Sequence, residues 1–185
     1  KKYGLDPSRY IRSPSLAFDA MLKMTKVKLE LFTDPDMYLF FERGVRRGVS
    51  MITRRYARAN NKYMGSDYDP TKPSIFLPYL DANNLYRWAM SQLLPVSGFQ
   101  WLSEEEILEM TTDHSKIKSC HLEVDLEYPD HLHDLHNDYP LAPEQVEINK
   151  VKKLIPNLGP RKNYVVHHDM LQQILKRGLI LKSIH

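Results

Sequence analysis

The sequence has a single cysteine, Cys120, among 185 residues. One thiol excludes an internal disulfide framework and a cysteine-based zinc cluster, and it fits a reducing compartment. No apolar run approaches the roughly 20 residues that span a bilayer, and no signal peptide opens the chain. With 42% hydrophobic residues the chain can still bury a core. These absences predict an intracellular protein that has no membrane partner.

The chain also lacks an initiating methionine, internal repeats and low-complexity tracts. Its last residues, LILKSIH, still alternate like a strand, so we expect it to be a piece of a longer protein. Helical spacing covers residues 15–27, 34–44, 84–94, 103–110 and 169–178. Strand patterns cover residues 48–56, 75–81, 120–128, 163–168 and 179–184. This mixture predicts an α+β fold, with the polar loop at 60–74 as the best domain boundary.

Acidic residues are missing from residues 43–62, although the net charge of the whole chain is only +3. The segment has seven cations: Arg43, Arg46, Arg47, Arg54, Arg55, Arg58 and Lys62. Such a stripe can neutralise nucleic-acid phosphates, and Tyr56 and Tyr63 are available to stack on bases. A solvated surface is the alternative, because charge runs commonly only keep a surface wet.

Asp81 lies between the apolar run 75–81 and the helical pattern 84–94. Free backbone N–H groups at the start of that helix would attract an anion beside this carboxylate. The carboxylate and such an anion would repel each other, and a divalent metal ion between Asp81 and a phosphate would remove that repulsion. The alternative is that Asp81 only caps the helix.

Histidine is concentrated at two places. His131, His133 and His136 are close enough in sequence to suggest zinc, although a surface loop is the simpler interpretation. His167 and His168 precede Asp169, but no cysteine or serine has the context of a nucleophile that would complete a triad with them.

The segment DANNLYRWAMSQLLP, which begins at Asp81, resembles the first polymerase motif of family B DNA polymerases, Asp-x-x-Ser-Leu-Tyr-Pro. The similarity is to the protein-primed version found in viruses, organellar plasmids and Polinton or Maverick transposons. It extends along nearly the whole chain through YGLDPSRY, SLAFDAMLKMT, RRGVSMITRRYARANNKY, LEVDLEYP, LHDLHNDYPLAPE and KNYVVHHDMLQQILKRGLILKSIH.

The resemblance implies roles for individual residues in nucleotide binding. Asp81 matches the metal-binding aspartate, and the carbonyl of Ala82 would be a second ligand to Mg²⁺ or Mn²⁺. Amides around Asn84 and Leu85 match those that hold the incoming deoxynucleoside triphosphate. Tyr86 matches the aromatic residue that stacks on the sugar and excludes a 2′-hydroxyl.

The resemblance also places a template-contacting motif, Tyr-x-Gly-Gly in the family, at residues 45–48. DNA contacts are therefore expected from Arg46, Arg47, Gly48, Arg54, Arg55 and Arg58. This chain departs from the family where Val45 replaces Tyr, Arg47 replaces the first Gly, Asn84 replaces Ser and Arg87 replaces Pro. A side chain at residue 47 hinders close approach of the backbone to DNA.

By the same resemblance, residues 1–44 would end the exonuclease region, residues 45–74 would form a basic linker, and residues 75–185 would belong to the polymerase palm. The palm part would carry an inserted segment at 128–160. Its antiparallel sheet would contain both the strand ending at Asp81 and the strand 120–128. The second metal-binding carboxylate, in an Asp-Thr-Asp motif, and a lysine-containing helix would lie downstream of residue 185.

The implied function is part of a DNA polymerase that extends a 3′ end by two-metal phosphoryl transfer, with the fragment alone inactive. Its partners would be a DNA template-primer, deoxynucleoside triphosphates and a terminal priming protein, in the nucleus if the source is a eukaryotic transposon. One alternative is a non-catalytic nucleic-acid-binding remnant. Another is an unrelated metal-dependent hydrolase that uses Asp81 and the histidines.

Overall fold

Helices and strands both form in this chain, which confirms the predicted α+β class. The computed structural model describes residues 3–46, 48–113, 115 and 120–185. The helices are α1 (Ser13–Thr25), α2 (Pro35–Gly44), α3 (Leu85–Met90), α4 (Glu104–Thr112), α5 (His133–His136) and α6 (His168–Lys176). The strands are β1 (His121–Glu127), β2 (Glu144–Ile148), β3 (Val151–Ile155), β4 (Arg161–His167) and β5 (Ile180–Ile184).

Contacts divide the chain into two compact units. The first contains residues up to Pro35 together with Ala82–Trp101, and the second contains Asp36–Asp81 together with Leu102–His185. No helix in the described part of the chain is both long and apolar enough to cross a membrane.

The first unit is built from α1, α3 and two extended segments. Helix α1 begins with a proline in its first turn, where the missing N–H costs nothing, and the residue that follows its end, Lys26, is in a left-handed conformation. Beyond it, the backbone N–H of Glu30 donates to the carbonyl of Val96 at 2.9 Å. The rings of Phe32 and Phe99 pack edge to face 4.8 Å apart. These contacts join the chain after α1 to the chain after α3.

The second unit is organised around an antiparallel sheet of order β4-β1-β5, with β1 in the centre. The predicted alternation along β1 is confirmed, because Leu122, Val124 and Leu126 are buried while the residues between them are half-exposed. Helix α6 covers the buried face with Leu171 and Ile174, which belong to the same apolar cluster. The core of this unit therefore lies between β1 and α6.

Helix α6 ends at Lys176, two residues before Gly178, the residue at which the sequence predicts its end. Gly178 has φ of 102°, a conformation that side chains rarely adopt, and an added Cβ would lie 2.9 Å from Cδ1 of Leu132. Glycine at this position lets the chain turn directly from α6 into β5.

Strands β2 and β3 form a separate two-stranded hairpin that the sequence analysis did not predict. Its turn residues, Asn149 and Lys150, both have positive φ, as a tight hairpin turn of this hand requires. Arg161, which is 1% exposed, lies near the base of the hairpin and donates to the carbonyls of Ala142 at 2.6 Å and Asn157 at 2.7 Å. A buried guanidinium with this many acceptors fixes the chain on both sides of the hairpin.

Two predicted strands are wrong. Residues 48–56 have no regular structure, and residues 75–81 form only a single bridge, between Ile75 and Asn60. The run 75–81 is also not buried, since Tyr79 is 97% exposed and Leu80 is 85% exposed. Apolar composition favours a strand only where another strand accepts its hydrogen bonds, and Pro78 removes one donor from this run. The expected sheet containing both residues 75–81 and β1 is therefore not formed.

Helix α3 is shorter than the predicted 84–94. It ends at Met90, and the hydroxyl of Ser91 donates to the carbonyl of Trp88 at 2.7 Å. This local hydrogen bond competes with continuation of the helix. By contrast, the predicted capping box of α4, between Ser103 and Glu106, is confirmed in both directions.

Replacing Leu171 with Ala should lower the free energy of unfolding by about 2–5 kcal/mol, because a completely buried side chain of the core is lost. Its neighbour Met170 is 53% exposed and gives a matched control, since Met170→Ala should change stability by less than about 0.5 kcal/mol. Urea denaturation followed by circular dichroism measures both. Equal effects of the two substitutions would contradict the core placed between β1 and α6.

Candidate nucleic-acid interface

The basic segment, residues 43–62, is anchored to the sheet at its beginning. The two terminal nitrogens of Arg43 bind both carboxylate oxygens of Glu123, at 3.0 and 2.8 Å. Arg46 donates from Nη1 to the carbonyl of Val165 at 2.7 Å, and its guanidinium lies 3.8 Å from the centre of the Tyr164 ring. The first two arginines of the segment therefore attach it to β1 and β4.

Arg46 is half-buried by these contacts. Desolvation lowers the pKa of its guanidinium, while the nearby Tyr164 and Glu144 raise it. Arginine remains charged at neutral pH even so. A half-buried cation that is hydrogen-bonded to a backbone carbonyl and stacked on a ring stabilises the fold, and this position gives Arg46 a structural role.

The other end of the segment is held by two asparagines. Asn60 and Ile75 exchange backbone hydrogen bonds at 2.9 and 2.7 Å. The Asn60 side chain donates to the carbonyls of Asp69 at 3.0 Å and Pro73 at 3.1 Å, which closes the polar loop. Asn61, only 7% exposed, donates to the carbonyl of Ile75 at 3.1 Å.

Between these anchors the basic segment runs over the surface. Arg54, Arg55 and Arg58 are all exposed. Arg54 lies 3.8 Å from the carboxylate of Asp138, an ion pair between two solvent-exposed groups that contributes little to stability. Water rather than protein therefore surrounds most of this positive charge, and phosphates can replace that water.

Two aromatic rings accompany the exposed arginines. Tyr56 is 78% exposed and Tyr63 is 79% exposed, and Nζ of Lys62 lies 5.3 Å from the centre of the Tyr63 ring. Exposed rings beside cations can stack on bases while the cations contact the backbone. The combination suits a single strand or a duplex end.

The structure does not bear on the DNA contacts expected of two other residues, Arg47 and Gly48. Arg47 lies outside the described residues. Gly48 is exposed, and an added Cβ there would meet nothing within 4 Å. The expected DNA contacts of both residues stay predictions.

Asp81, the expected metal ligand, is exposed at the end of the irregular run 75–81. The residue that caps α3 is Asn84, which is in the left-handed conformation and makes no side-chain capping bond. Asp81 therefore does not have the helix-capping role that the sequence left open. Leu85 begins α3, and Tyr86 is 87% exposed, while Ala82 lies just before the turn formed by residues 83–84.

The described residues do not complete a two-metal centre around Asp81. Such a centre needs at least two carboxylates that share the ions. Among the described residues, the group with three metal-capable side chains close together is His167, His168 and Asp169, and Asp81 is not part of it. The expected binding of Mg²⁺ or Mn²⁺ by Asp81 and Ala82 stays a prediction.

The histidines at 131–136 also lie outside that group. The ring of His133 lies 5.7 Å from that of Tyr128, and Nδ1 of His136 is 2.8 Å from the Tyr128 hydroxyl. Both rings serve to pack the loop against a buried tyrosine, which favours the simpler interpretation of this loop over zinc.

Strands β1 and β4 bring His121 to His167, a contact that the sequence did not predict. These residues are partners across the two strands, with ring centres 4.9 Å apart. Desolvation, reinforced by His167 and His168, lowers the pKa of His121 to about 4. The signal was present only as a histidine at the start of one strand and another at the end of a later one, and strand pairing must be known before they can be joined.

Comparison of the chain with models of protein families, with curated proteins and with solved structures finds no match in any of the three.

Replacing Arg46 with Met should lower the free energy of unfolding by about 1–3 kcal/mol, because a charged hydrogen bond to the backbone and a cation–ring contact are lost. Arg55 offers a control of equal charge, and Arg55→Met should stay within about 0.5 kcal/mol of the wild type. Denaturant unfolding of both variants tests the division between anchoring and exposed arginines. An Arg46→Met protein as stable as Arg55→Met would contradict it.

Proposed function

We propose that this chain is a DNA-binding part of a protein-primed family B DNA polymerase, and that the middle of the basic segment contacts the phosphate backbone. The observation that carries the proposal is the exposure of Arg54, Arg55 and Arg58 together with Tyr56 in a segment that has no acid. The identity of the nucleic acid as template-primer DNA rests on the sequence motifs.

The anchors on either side of the exposed arginines support binding of an extended ligand. Arg43 and Arg46 attach the segment at one end, and Asn60 and Asn61 hold it at the other. The two ends of the stretch that carries the exposed arginines are thus held before any ligand arrives. Restraint lowers the entropy cost of ordering the arginines on DNA.

The catalytic part of the proposal rests on Asp81 and the motif that follows it. Its carboxylate is exposed and accessible to a metal ion and a triphosphate. In the proposed enzyme it provides one of the carboxylates that hold the two metals, and Tyr86 limits the sugar that fits. The remaining ligands come from the downstream motifs that the resemblance implies.

A second candidate function is non-catalytic nucleic-acid binding by a remnant of such a polymerase. The observation that favours it is the absence of a strand at residues 75–81, because a rigid strand is the usual support for a catalytic carboxylate. Both candidates use the same basic segment. They differ in whether Asp81 takes part in chemistry.

Replacing Arg54, Arg55 and Arg58 together with Ala should weaken DNA binding and flatten its dependence on salt. Each phosphate contact contributes about 0.7 to the slope of log K against log salt on a single strand. Loss of three contacts should therefore reduce the slope by about 2. Fluorescence anisotropy with a labelled oligonucleotide at several salt concentrations measures this change.

The matched control is the replacement of Lys150, Lys152 and Lys153 with Ala, which removes the same charge from the exposed turn and edge of the β2–β3 hairpin. If the arginines contact phosphates, this control should retain most of the wild-type slope. If the two triple variants have equal slopes of log K against log salt, the basic segment attracts DNA only through its overall charge, and a specific interface is refuted.

In a chain extended through the downstream motifs, Asp81→Asn should abolish nucleotide incorporation and leave DNA affinity nearly unchanged. Asn keeps the shape of the side chain but loses the charge that holds a divalent ion. Primer extension measures incorporation, and anisotropy measures binding. Tyr86→Val should instead keep incorporation and admit ribonucleotides, because only a steric barrier is removed.

The two candidate functions give different results in this experiment. An extended wild-type chain that binds DNA but incorporates no nucleotide would favour the remnant. Normal incorporation by Asp81→Asn would show that the aspartate is not a metal ligand.

A further inference from the structure

We propose that His167, His168 and Asp169 bind a divalent ion of the first transition series, such as Zn²⁺, Co²⁺ or Ni²⁺. The site is separate from the basic segment and from Asp81. It lies where β4 ends and α6 begins, and its test does not depend on DNA binding or on polymerase activity.

The three side chains converge although they are consecutive in sequence. One ligand atom from each lies within 4.8 Å of the others. Nε2 of His168 is 3.1 Å from Oδ1 of Asp169, and Nδ1 of His167 is 3.7 Å from Oδ2 of the same carboxylate. An ion about 2.1 Å from every ligand needs ligand atoms no more than about 4.2 Å apart. Both contacts of the Asp169 carboxylate are within this limit, and the widest separation in the group, up to 4.8 Å, needs a small side-chain movement to close.

The change from strand to helix explains this convergence. His167 is the last residue of β4 and the N-cap of α6, so its backbone is extended while the next two residues are helical. Successive side chains would point to opposite faces in a continuing strand. The turn into the helix brings all three to one side.

The two imidazoles are held in place by surrounding groups. The backbone N–H of His168 donates to the carbonyl of Cys120 at 3.0 Å, which fixes the start of α6 against β1. The ring of His121 packs 4.9 Å from that of His167, and the ring of Phe41 packs 4.4 Å from that of His121. Ligands that are oriented before the ion arrives bind it more tightly.

The burial of His168 decides which of its two ring nitrogens can bind the ion. Nδ1 of His168 is inaccessible to solvent and has no hydrogen-bond partner among the described residues. The side chain as a whole is only 16% exposed. Because Nδ1 is buried, His168 would bind the ion through Nε2, the nitrogen that lies 3.1 Å from Asp169.

The donor set decides the class of ion. Two imidazoles and one carboxylate suit zinc, cobalt, nickel and copper, whereas Mg²⁺ and Ca²⁺ prefer oxygen ligands throughout. The single carboxylate neutralises half of the charge of a divalent ion. Three protein ligands leave a coordination position for water, as in sites that exchange ligands.

A simpler arrangement explains part of the same geometry. Asp169 lies in the first turn of α6, where a carboxylate interacts favourably with the helix dipole and can bond to a protonated imidazole. That arrangement needs no ion. It predicts that added metal is ignored, and the experiment separates the two.

The experiment titrates chelator-treated protein with Co²⁺, whose visible absorption reports its coordination, and with Zn²⁺ by calorimetry. We expect one strongly bound ion for each chain and no displacement by excess Mg²⁺. His167→Ala and Asp169→Asn should each weaken binding by about tenfold or more, since loss of even an outer hydrogen-bond partner costs 10- to 100-fold. Both side chains are partly exposed, and circular dichroism checks that the variants fold.

His131→Ala is the matched control, because it removes an exposed histidine from the loop at 131–136. It should bind Co²⁺ like the wild type. The proposal is wrong if the wild type binds Co²⁺ only as weakly as a single histidine does. It is also wrong if His167→Ala and Asp169→Asn bind Co²⁺ as the wild type does, because the cluster is then only an imidazole–carboxylate contact. Loss of binding in His131→Ala alone would place the ion in the loop and also overturn it.

Discussion

Strand β1 has a bonded neighbour on each side, and the second unit depends on this arrangement. Its apolar face places Leu122, Val124 and Leu126 against α6. Its polar face binds three other segments through Glu123, Asp125 and Glu127. Glu123 binds Arg43 of α2, Asp125 accepts the backbone N–H of Asn163 at 2.9 Å, and Glu127 lies 2.6 Å from Nζ of Lys182. Each carboxylate of the half-exposed face thus has a definite partner.

The contact between Asp125 and Asn163 also shapes β4. Pairing of β1 with β4 shifts register between Val124 and Leu126, and Asn163 lies in that irregular part with φ of 51°. A bulge leaves a backbone N–H without a partner in the ladder, and here the Asp125 carboxylate accepts it. This hydrogen bond is the largest cause of the lowered pKa of Asp125.

The sequence predicted those elements whose local pattern agrees with their environment. β1, β4 and β5 alternate or carry β-branched residues, and α1, α2, α4 and α6 have the expected spacing and end signals. Residues 48–56 and 75–81 have strand-like composition but no strand to pair with. Pairing is a property of two distant segments, so composition within one of them cannot determine it. The sequence did not predict the β2–β3 hairpin for the opposite reason, because its two strands are short and half of their residues are polar.

The candidate interface shows the same limit at the level of side chains. Seven cations between residues 43 and 62 look equivalent in the sequence. In the structure, Arg46 is half-buried on Tyr164 and bonded to a strand carbonyl, whereas Arg55 and Arg58 are exposed. The charges in the sequence alone identify a segment that can bind phosphates. Which arginines remain available depends on what the sheet places beside them.

Arg46 has a further consequence for β4, which is an edge strand of the three-stranded sheet. An edge strand exposes backbone groups that can pair with another chain. The Arg46 guanidinium donates a hydrogen bond to the carbonyl of Val165. Gly44 also packs closely against Val165, since an added Cβ on the glycine would lie 3.2 Å from Cγ1 of Val165. The beginning of the basic segment therefore covers part of this edge. The same contacts protect the sheet from unwanted pairing and present the following arginines to solvent, so one structural device supports both the stability of the unit and the proposed interface.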